Sequence, residues 1–167
     1  VSRGGDGVYT MDERIVYSKL EGAVSGSFGV TDTLENATIG SVIVAEARLI
    51  NVKKTAGIDC VNIGGDVVCD LVCTAPDGLL VSYRVCTPFQ EEAACHGARA
   101  DYCPAGQVTL ENVKVEVVEG ETVAVELDYD IHYTVKVFSE QSATVVTDAF
   151  SPTDELIKTV AGVELCR

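Results

Sequence analysis

The chain has 167 residues, which corresponds to one domain of ordinary size with a single hydrophobic core. Its 12 lysines and arginines against 26 aspartates and glutamates give a formal net charge of −14, which excludes DNA, RNA and anionic membranes as partners because it repels phosphates. With 47% hydrophobic residues it is too apolar for a disordered acidic chain, yet no apolar run reaches the roughly 20 residues of a membrane helix.

The first 13 residues are glycine-rich and lack both a periodic pattern and the apolar core of a signal peptide. We interpret residues 1–13 as an N-terminal arm and residues 14–167 as a single domain. An ordered arm needs something to hold it, so its residues Val8 and Tyr9 are candidates for a contact between subunits. Residues 14–20 and 42–53 are the next strand candidates.

Gly64-Gly65 predicts a two-residue hairpin loop between two apolar runs. Pairing across this loop sets Cys60 opposite Cys69 in a non-hydrogen-bonded pair, where Cα atoms approach to about 4.5 Å. This separation lies within the disulfide range, so we predict a bond between Cys60 and Cys69.

Ala75-Pro76-Asp77-Gly78 predicts a type I turn, with glycine in the left-handed position that follows it. Pairing outward from this turn places Leu71 opposite Tyr83 and Asp70 opposite Arg84. The second pair joins opposite charges and therefore supports the register.

Residues 87–106 lack any period and are predicted to form a long loop. A disulfide between Cys95 and Cys103 is predicted to close it. The alternative is that one or both of these cysteines reach another subunit.

Strict alternation of apolar and polar residues over 108–118 and 122–138 predicts two long strands, each with one face in a core. Gly120 is predicted to take the left-handed position of the hairpin between them. Residues 151–154 fit the start of a short helix and a continued strand equally well. These elements together predict an all-β chain folded as an antiparallel, jelly-roll-like β-sandwich.

The seven cysteines are an odd number, so at least one thiol is free or bonded to another chain. Cys73, Cys86 and Cys166 are our candidates for intersubunit bonds. Only Cys69 and Cys73 have zinc-site spacing and no second pair follows, so oxidised cysteines are the better interpretation.

Glu126, Asp128, Asp130 and His132 alternate along one strand and could form a cation site, but a solvated strand face gives the same row. We favour the solvated face. The sequence offers no combination of acid, base and nucleophile and no phosphate-binding loop. We therefore predict no catalytic residues, no metal and no cofactor.

From about residue 41 to residue 156 the chain resembles the SPOCS-type domain of bacterial spore-coat morphogenetic proteins. The resemblance rests on the Gly64-Gly65 region, the turn at 75–78, Thr87-Pro88-Phe89 and the two long strands. Its most specific part is the closing sequence Val145-Val146-Thr147-Asp148-Ala149-Phe150-Ser151-Pro152. The cysteine content and the insert at 90–106 depart from the family pattern.

This resemblance implies a protein of the bacterial endospore surface, in the coat, the exosporium or an appendage. Such proteins are made in the mother-cell cytoplasm, so no signal peptide is needed, and their cysteines can be oxidised outside it. We therefore predict a non-enzymatic structural protein that assembles with itself, with other spore-surface proteins as further candidate partners. The alternative hypothesis is a surface adhesin or a β-sandwich module that binds carbohydrate or protein.

Overall fold

The computed structural model describes residues 2–3, 8–35, 38–119, 123–151 and 156–157. Every regular element among them is a strand, which confirms the predicted all-β class. The seven strands are β1 (Ser2–Arg3), β2 (Tyr9–Leu34), β3 (Ser41–Ala56), β4 (Cys60–Thr74), β5 (Leu80–Ala94), β6 (Cys103–Glu119) and β7 (Val123–Phe150). None of the described residues form a helix that could cross a membrane.

The strands form two sheets, in the order β1-β2-β7-β6 and β3-β4-β5. The β3–β4, β4–β5 and β6–β7 pairs are all antiparallel. Strands β4 and β7 are each hydrogen-bonded on both sides, and both contribute apolar side chains to one common core. This arrangement confirms the predicted antiparallel β-sandwich, whereas a jelly-roll connectivity stays a prediction.

The alternation predicted for residues 122–138 is confirmed from residue 123 onward by β7, and residue 122 lies outside the described residues. Its inward side chains are at most 7% exposed and consist of Val125, Leu127, Tyr129, Ile131, Tyr133, Val135 and Val137. The residues between them face outward and are half-buried or exposed. Because successive strand residues point to opposite faces, this alternation fixes which face of β7 enters the core.

The chain divides into two compact units. Lys19–Ser139 contains the whole apolar core. The other unit combines Val1–Ser18 with Glu140–Arg167 and includes β1, the first part of β2 and the last part of β7. We name the paired residues 9–18 and 140–150 the terminal ribbon. The predicted arm is wrong in its second half, because residues 9–13 belong to β2.

The turn predicted at residues 75–78 is confirmed in both its geometry and its register. Gly78 has φ +84°, and the Ala75 N–H donates to the Leu79 carbonyl at 2.8 Å. Leu71 lies opposite Tyr83 as predicted, and Asp70 lies opposite Arg84. Strand β3 likewise confirms the strand predicted at residues 42–53.

The hairpin predicted at Gly64-Gly65 is wrong, because both glycines lie inside the continuous strand β4. They pair with Gln90 and Phe89 of β5. A Cβ atom at Gly65 would lie 2.9 Å from the Phe89 ring, so the glycine leaves room for that ring to pack on the strand. Glycine in this strand marks a close approach of an aromatic side chain.

The long loop predicted over residues 87–106 is also wrong at both ends. Residues 87–94 continue β5, and residues 103–106 begin β6. The remaining loop is held by Asp59, whose carboxylate accepts the Gly97 N–H at 2.8 Å and whose carbonyl accepts the Cys95 N–H at 2.9 Å. This segment is therefore pinned by hydrogen bonds.

Residues 108–118 and 123–138 form the predicted hairpin of β6 and β7, and Glu119 pairs with Val123. Gly120 lies outside the described residues. So do residues 152–155, which include most of the segment predicted as a helix start or a continued strand.

Two ion pairs meet at Asp70 on the outer face of the three-stranded sheet. Arg84 and Arg48 donate to its carboxylate, at 3.1 Å from Nη2 and 2.9 Å from Nη1 respectively. These bonds, chiefly those from Arg84, lower the pKa of Asp70 to about 2. Because that pKa is below the value in the unfolded chain, the carboxylate stabilises the fold above about pH 4 and stops doing so as the pH falls towards 2.

We expect Asp70→Asn to lower the melting temperature at pH 6 and to have little effect near pH 2, where the wild-type carboxyl is itself becoming protonated. Thermal unfolding of both proteins from pH 6 to pH 2 measures the difference. A difference that stays constant over this range would contradict the role assigned to the two arginines.

Candidate functional site

The cysteines are distributed differently from the predicted pairs. All six cysteines within the described residues are free, and Cys166 lies outside those residues. Cys60 and Cys69 lie nine positions apart on one strand, opposite Ala94 and Val85 of β5 respectively. At about 3.3 Å per residue they are roughly 30 Å apart, so the predicted Cys60–Cys69 disulfide is wrong.

Three cysteines are buried in the core. Cys69 and Cys73 have no exposed surface, and Cys95 is 2% exposed. Burial raises the pKa of all three thiols, which keeps them protonated and poorly nucleophilic. Cys73 is therefore wrong as a candidate for an intersubunit bond. The sequence carried this signal, since Cys69, Leu71 and Cys73 alternate with the more polar face of β4.

Cys86 and Cys103 are the exposed cysteines of the described residues. Cys86 lies on the edge strand β5, opposite Val68, and Cys103 is the first residue of β6, opposite Phe138. The predicted Cys95–Cys103 disulfide is not present, because Cys95 is a buried free thiol. Exposure makes Cys86 and Cys103 the thiols that a neighbouring molecule can reach.

We expect a thiol-alkylating reagent to label Cys86 and Cys103 of the folded, reduced protein rapidly. Cys69, Cys73 and Cys95 should react only on unfolding, because the reagent cannot reach them. Peptide mass spectrometry after timed labelling measures each rate, and the same experiment in denaturant is the control. Fast labelling of Cys73 in the folded protein would contradict its burial.

The terminal ribbon exposes apolar side chains. Tyr9 stacks on Phe150 with ring centroids 5.2 Å apart, and the Thr147 hydroxyl donates to the Met11 carbonyl at 3.1 Å. Its exposed apolar residues are Met11 (50%), Val16 (58%), Tyr17 (37%), Val146 (60%) and Phe150 (47%). Val8 and Tyr9 are half-buried beside or within this ribbon. A two-stranded ribbon is marginally stable alone, so this surface suits a partner.

The acidic row on β7 forms a strand face, as we favoured. Glu126 and Asp130 are exposed, whereas Asp128 and His132 are half-buried. Asp130 accepts a hydrogen bond from Asn112 Nδ2 at 3.2 Å. Among the described residues, no group of three or more His, Cys, Asp or Glu could hold a metal ion.

Among the described residues, one buried side-chain oxygen has no hydrogen-bond partner. The Tyr129 hydroxyl has no hydrogen bond within the described structure, although the Cys69 thiol and the Thr87 hydroxyl lie near it. Thr87 instead donates to Asp32 at 2.7 Å. Burial is the main cause that raises the pKa of Tyr129, so this phenol is neutral at physiological pH.

No protein-family model, curated protein or solved structure matches the chain. The surfaces of the molecule itself therefore provide the evidence for its function. The sequence predicts a loop over residues 87–94, so it gives no indication of one such surface, the edge of β5. The available signal was the absence of acidic residues from Gly78 to Gln90 in an otherwise acidic chain.

Proposed function

We propose that this chain is a non-enzymatic structural subunit that polymerises with itself by pairing strands between copies, with disulfides as cross-links. The observation that carries the proposal is the terminal ribbon, in which two strands expose apolar side chains that a neighbouring subunit would cover. Strand β5, an edge strand of 15 residues, provides backbone groups for such pairing.

Hydrophobic burial favours this assembly. Val16 and Val146 are about 60% exposed. Fully burying a valine stabilises by roughly 1.5 kcal/mol or more, so covering the exposed part of each contributes about 1 kcal/mol. Five such residues on the ribbon give an appreciable driving force per contact, because the strands are already ordered before association.

Cys86 and Cys103 are the thiols on which we base the proposed cross-links within the described residues, with Cys166 as a further candidate. Each bond would join two thiols from different copies and release two protons and two electrons to an oxidant such as dioxygen or a small-molecule disulfide. Such bonds would make the polymer resistant to detergent until it is reduced.

The resemblance to SPOCS-type domains supports a location at the bacterial endospore surface, in the coat, the exosporium or an appendage. The partners would be further copies of the chain, with other spore-surface proteins as a second candidate. The net charge of −14 keeps single subunits soluble, since it opposes nonspecific association.

Gel electrophoresis in detergent, with and without reductant, tests this function on assembled native material. The proposal expects a ladder of multimers that collapses to the monomer on reduction. The adhesin or binding-module alternative expects monomers in both lanes, and that result would overturn the proposal. Electron microscopy of the same sample distinguishes ordered polymers from random cross-linked aggregates.

A further inference from the structure

Strand β5 has an unusually regular edge. Among the described residues its backbone pairs with β4 alone, and the pairing runs without a bulge from Thr74–Leu80 to Cys60–Ala94. In contrast, β3 and β6 each contain register shifts. Bulges are a device by which proteins discourage pairing with other chains, and β5 lacks it.

The direction of the backbone groups follows from the turn before β5. Ala75 and Leu79 form a hydrogen-bonded pair, and such pairs alternate with non-hydrogen-bonded ones along an antiparallel ladder. Leu80, Ser82, Arg84 and Cys86 therefore direct their N–H and C=O groups away from β4. The backbone of Pro88, two positions further on, also faces away from β4. Proline has no N–H and is therefore expected at such a position of an edge strand. We name residues 80–86 the receiving edge.

Among the described residues, strand β2 contacts β5 at Thr87 and Phe89, which lie beyond the receiving edge. The Thr87 hydroxyl donates to Asp32 at 2.7 Å, and the Phe28 and Phe89 rings lie 5.7 Å apart. Strand β2 then ends at Leu34. An open groove of about 410 Å³ beside the receiving edge is lined by Asp70, Leu71, Val72, Ser82, Tyr83 and Arg84.

The chemistry of this edge suits a second copy of the chain. No acidic residue occurs from Gly78 to Gln90, so two copies of a chain with net charge −14 repel each other least here. Leu79 and Leu80 are 65% and 69% exposed, and Val44 and Val72 form a cross-strand pair that is also exposed. This apolar flank, beside the Asp70–Arg84 ion pair, favours a strand that also exposes apolar side chains.

The terminal ribbon provides that strand. Strand β1 pairs with β2 only at Tyr9 and Thr10, so within the described residues the stretch 13–18 has a neighbouring strand on its β7 side alone. This stretch carries one acid and one base, Glu13 and Arg14, and exposes Val16 and Tyr17. We name it the donating edge.

We infer that the receiving edge of one copy pairs with the donating edge of a second copy. This inference rests on the proposed function and identifies its joint. Because the two edges are different surfaces, the contact is heterologous and each added copy presents a new receiving edge. Such a contact gives an open filament, whereas pairing of β5 with a second β5 would stop at a dimer.

The test replaces Ser82 with proline, which removes an N–H that points away from β4 and leaves the β4–β5 ladder intact. Ser82→Pro is expected to remain a folded monomer on its own. Added at one part in ten to wild-type chains, it should limit their filaments to a mean of about ten subunits, since it can join through its donating edge but cannot accept another copy. Filament length by electron microscopy and folding by circular dichroism are the measurements.

Gln90→Pro is the matched control. The Gln90 N–H also points away from β4, but Gln90 lies beyond Pro88 and outside the receiving edge. It should polymerise as the wild type does. If proline at position 82 prevents folding, Leu80→Lys with Ser82→Lys places charge along the receiving edge without changing the backbone, and Gln90→Lys is its control.

Two outcomes would overturn the inference while leaving the proposed function standing. Either Ser82→Pro forms filaments like the wild type, or it stays a folded monomer that does not shorten wild-type filaments. If wild-type chains themselves never polymerise, the proposed function fails and the inference fails with it.

Discussion

Replacing Val16 and Val146 with lysine is expected to leave a folded monomer that no longer polymerises at concentrations where the wild type does. Both side chains are about 60% exposed on the terminal ribbon. Losing their burial at a joint removes about 2 kcal/mol, which raises the critical concentration about 30-fold. Burying a lysine ammonium there raises it further, because the charge would have to be desolvated.

The control for this variant is lysine at Ser142 and Thr144, two exposed polar positions on the same ribbon outside residues 13–18. It adds the same charge and removes no apolar side chain. Because the chain has a net charge of −14, added lysines alone reduce repulsion between copies. Sedimentation of the reduced proteins over a concentration series measures the threshold. Equal thresholds for the apolar and control variants would contradict a role for the apolar ribbon surface.

Gly106→Ala is expected to destabilise the fold by about 3 kcal/mol or more. Gly106 has φ +148°, which L side chains rarely adopt, and a Cβ atom there would clash with the Thr134 carbonyl oxygen. That oxygen is backbone in the central strand β7 and cannot move aside cheaply. The Gly106 carbonyl also accepts a hydrogen bond from Lys54 at 2.8 Å, so a shift would disturb a contact to β3.

Gly29→Ala is the matched control, since a Cβ atom at this position of β2 meets nothing within 4 Å. It should be neutral or stabilise by about 0.5 kcal/mol, because alanine has less backbone freedom to lose on folding. Urea unfolding of the reduced monomers compares the two variants. Similar free energies of unfolding for both would show that the strand pair accommodates a side chain at Gly106.

The parts of the fold that could be predicted were those with a strong local signal. Pro76-Asp77-Gly78 fixes a turn through its own backbone preferences, and the register on both sides follows by counting. The alternation of residues 123–138 is strict on both faces, so its inward face was evident. In these two regions the neighbouring residues alone specify the conformation.

Gly64-Gly65 could not be read in the same way, because its conformation depends on Phe89, which is distant in sequence. Two glycines favour a turn locally, and the packing of an aromatic ring across the strand overrides that preference. The predicted Cys60–Cys69 pair was counted from this hairpin and is wrong for the same reason. Residues 87–94, predicted as part of a loop, pair with the strand that contains these glycines. Residues 14–20 were predicted as a strand, whereas β2 extends from Tyr9 to Leu34, so the sequence identified only an internal part of it.

The candidate site was less predictable than the fold, in its thiols as well as in its surfaces. Exposure of Cys86 agrees with its selection as an intersubunit candidate, whereas Cys73 could have been excluded from the alternation of β4. The receiving edge depends on where β2 ends beside β5. That relation between two sheets has no local signature in the sequence.

Sedimentation velocity of the wild-type chain, fully reduced and over a hundredfold range of concentration, tests self-assembly most directly. Reduction removes every disulfide, so any association must come from strand pairing and apolar contacts. We expect a monomer below a threshold concentration and a rapidly sedimenting polymer above it. A single monomeric species over the whole range would contradict assembly through the terminal ribbon.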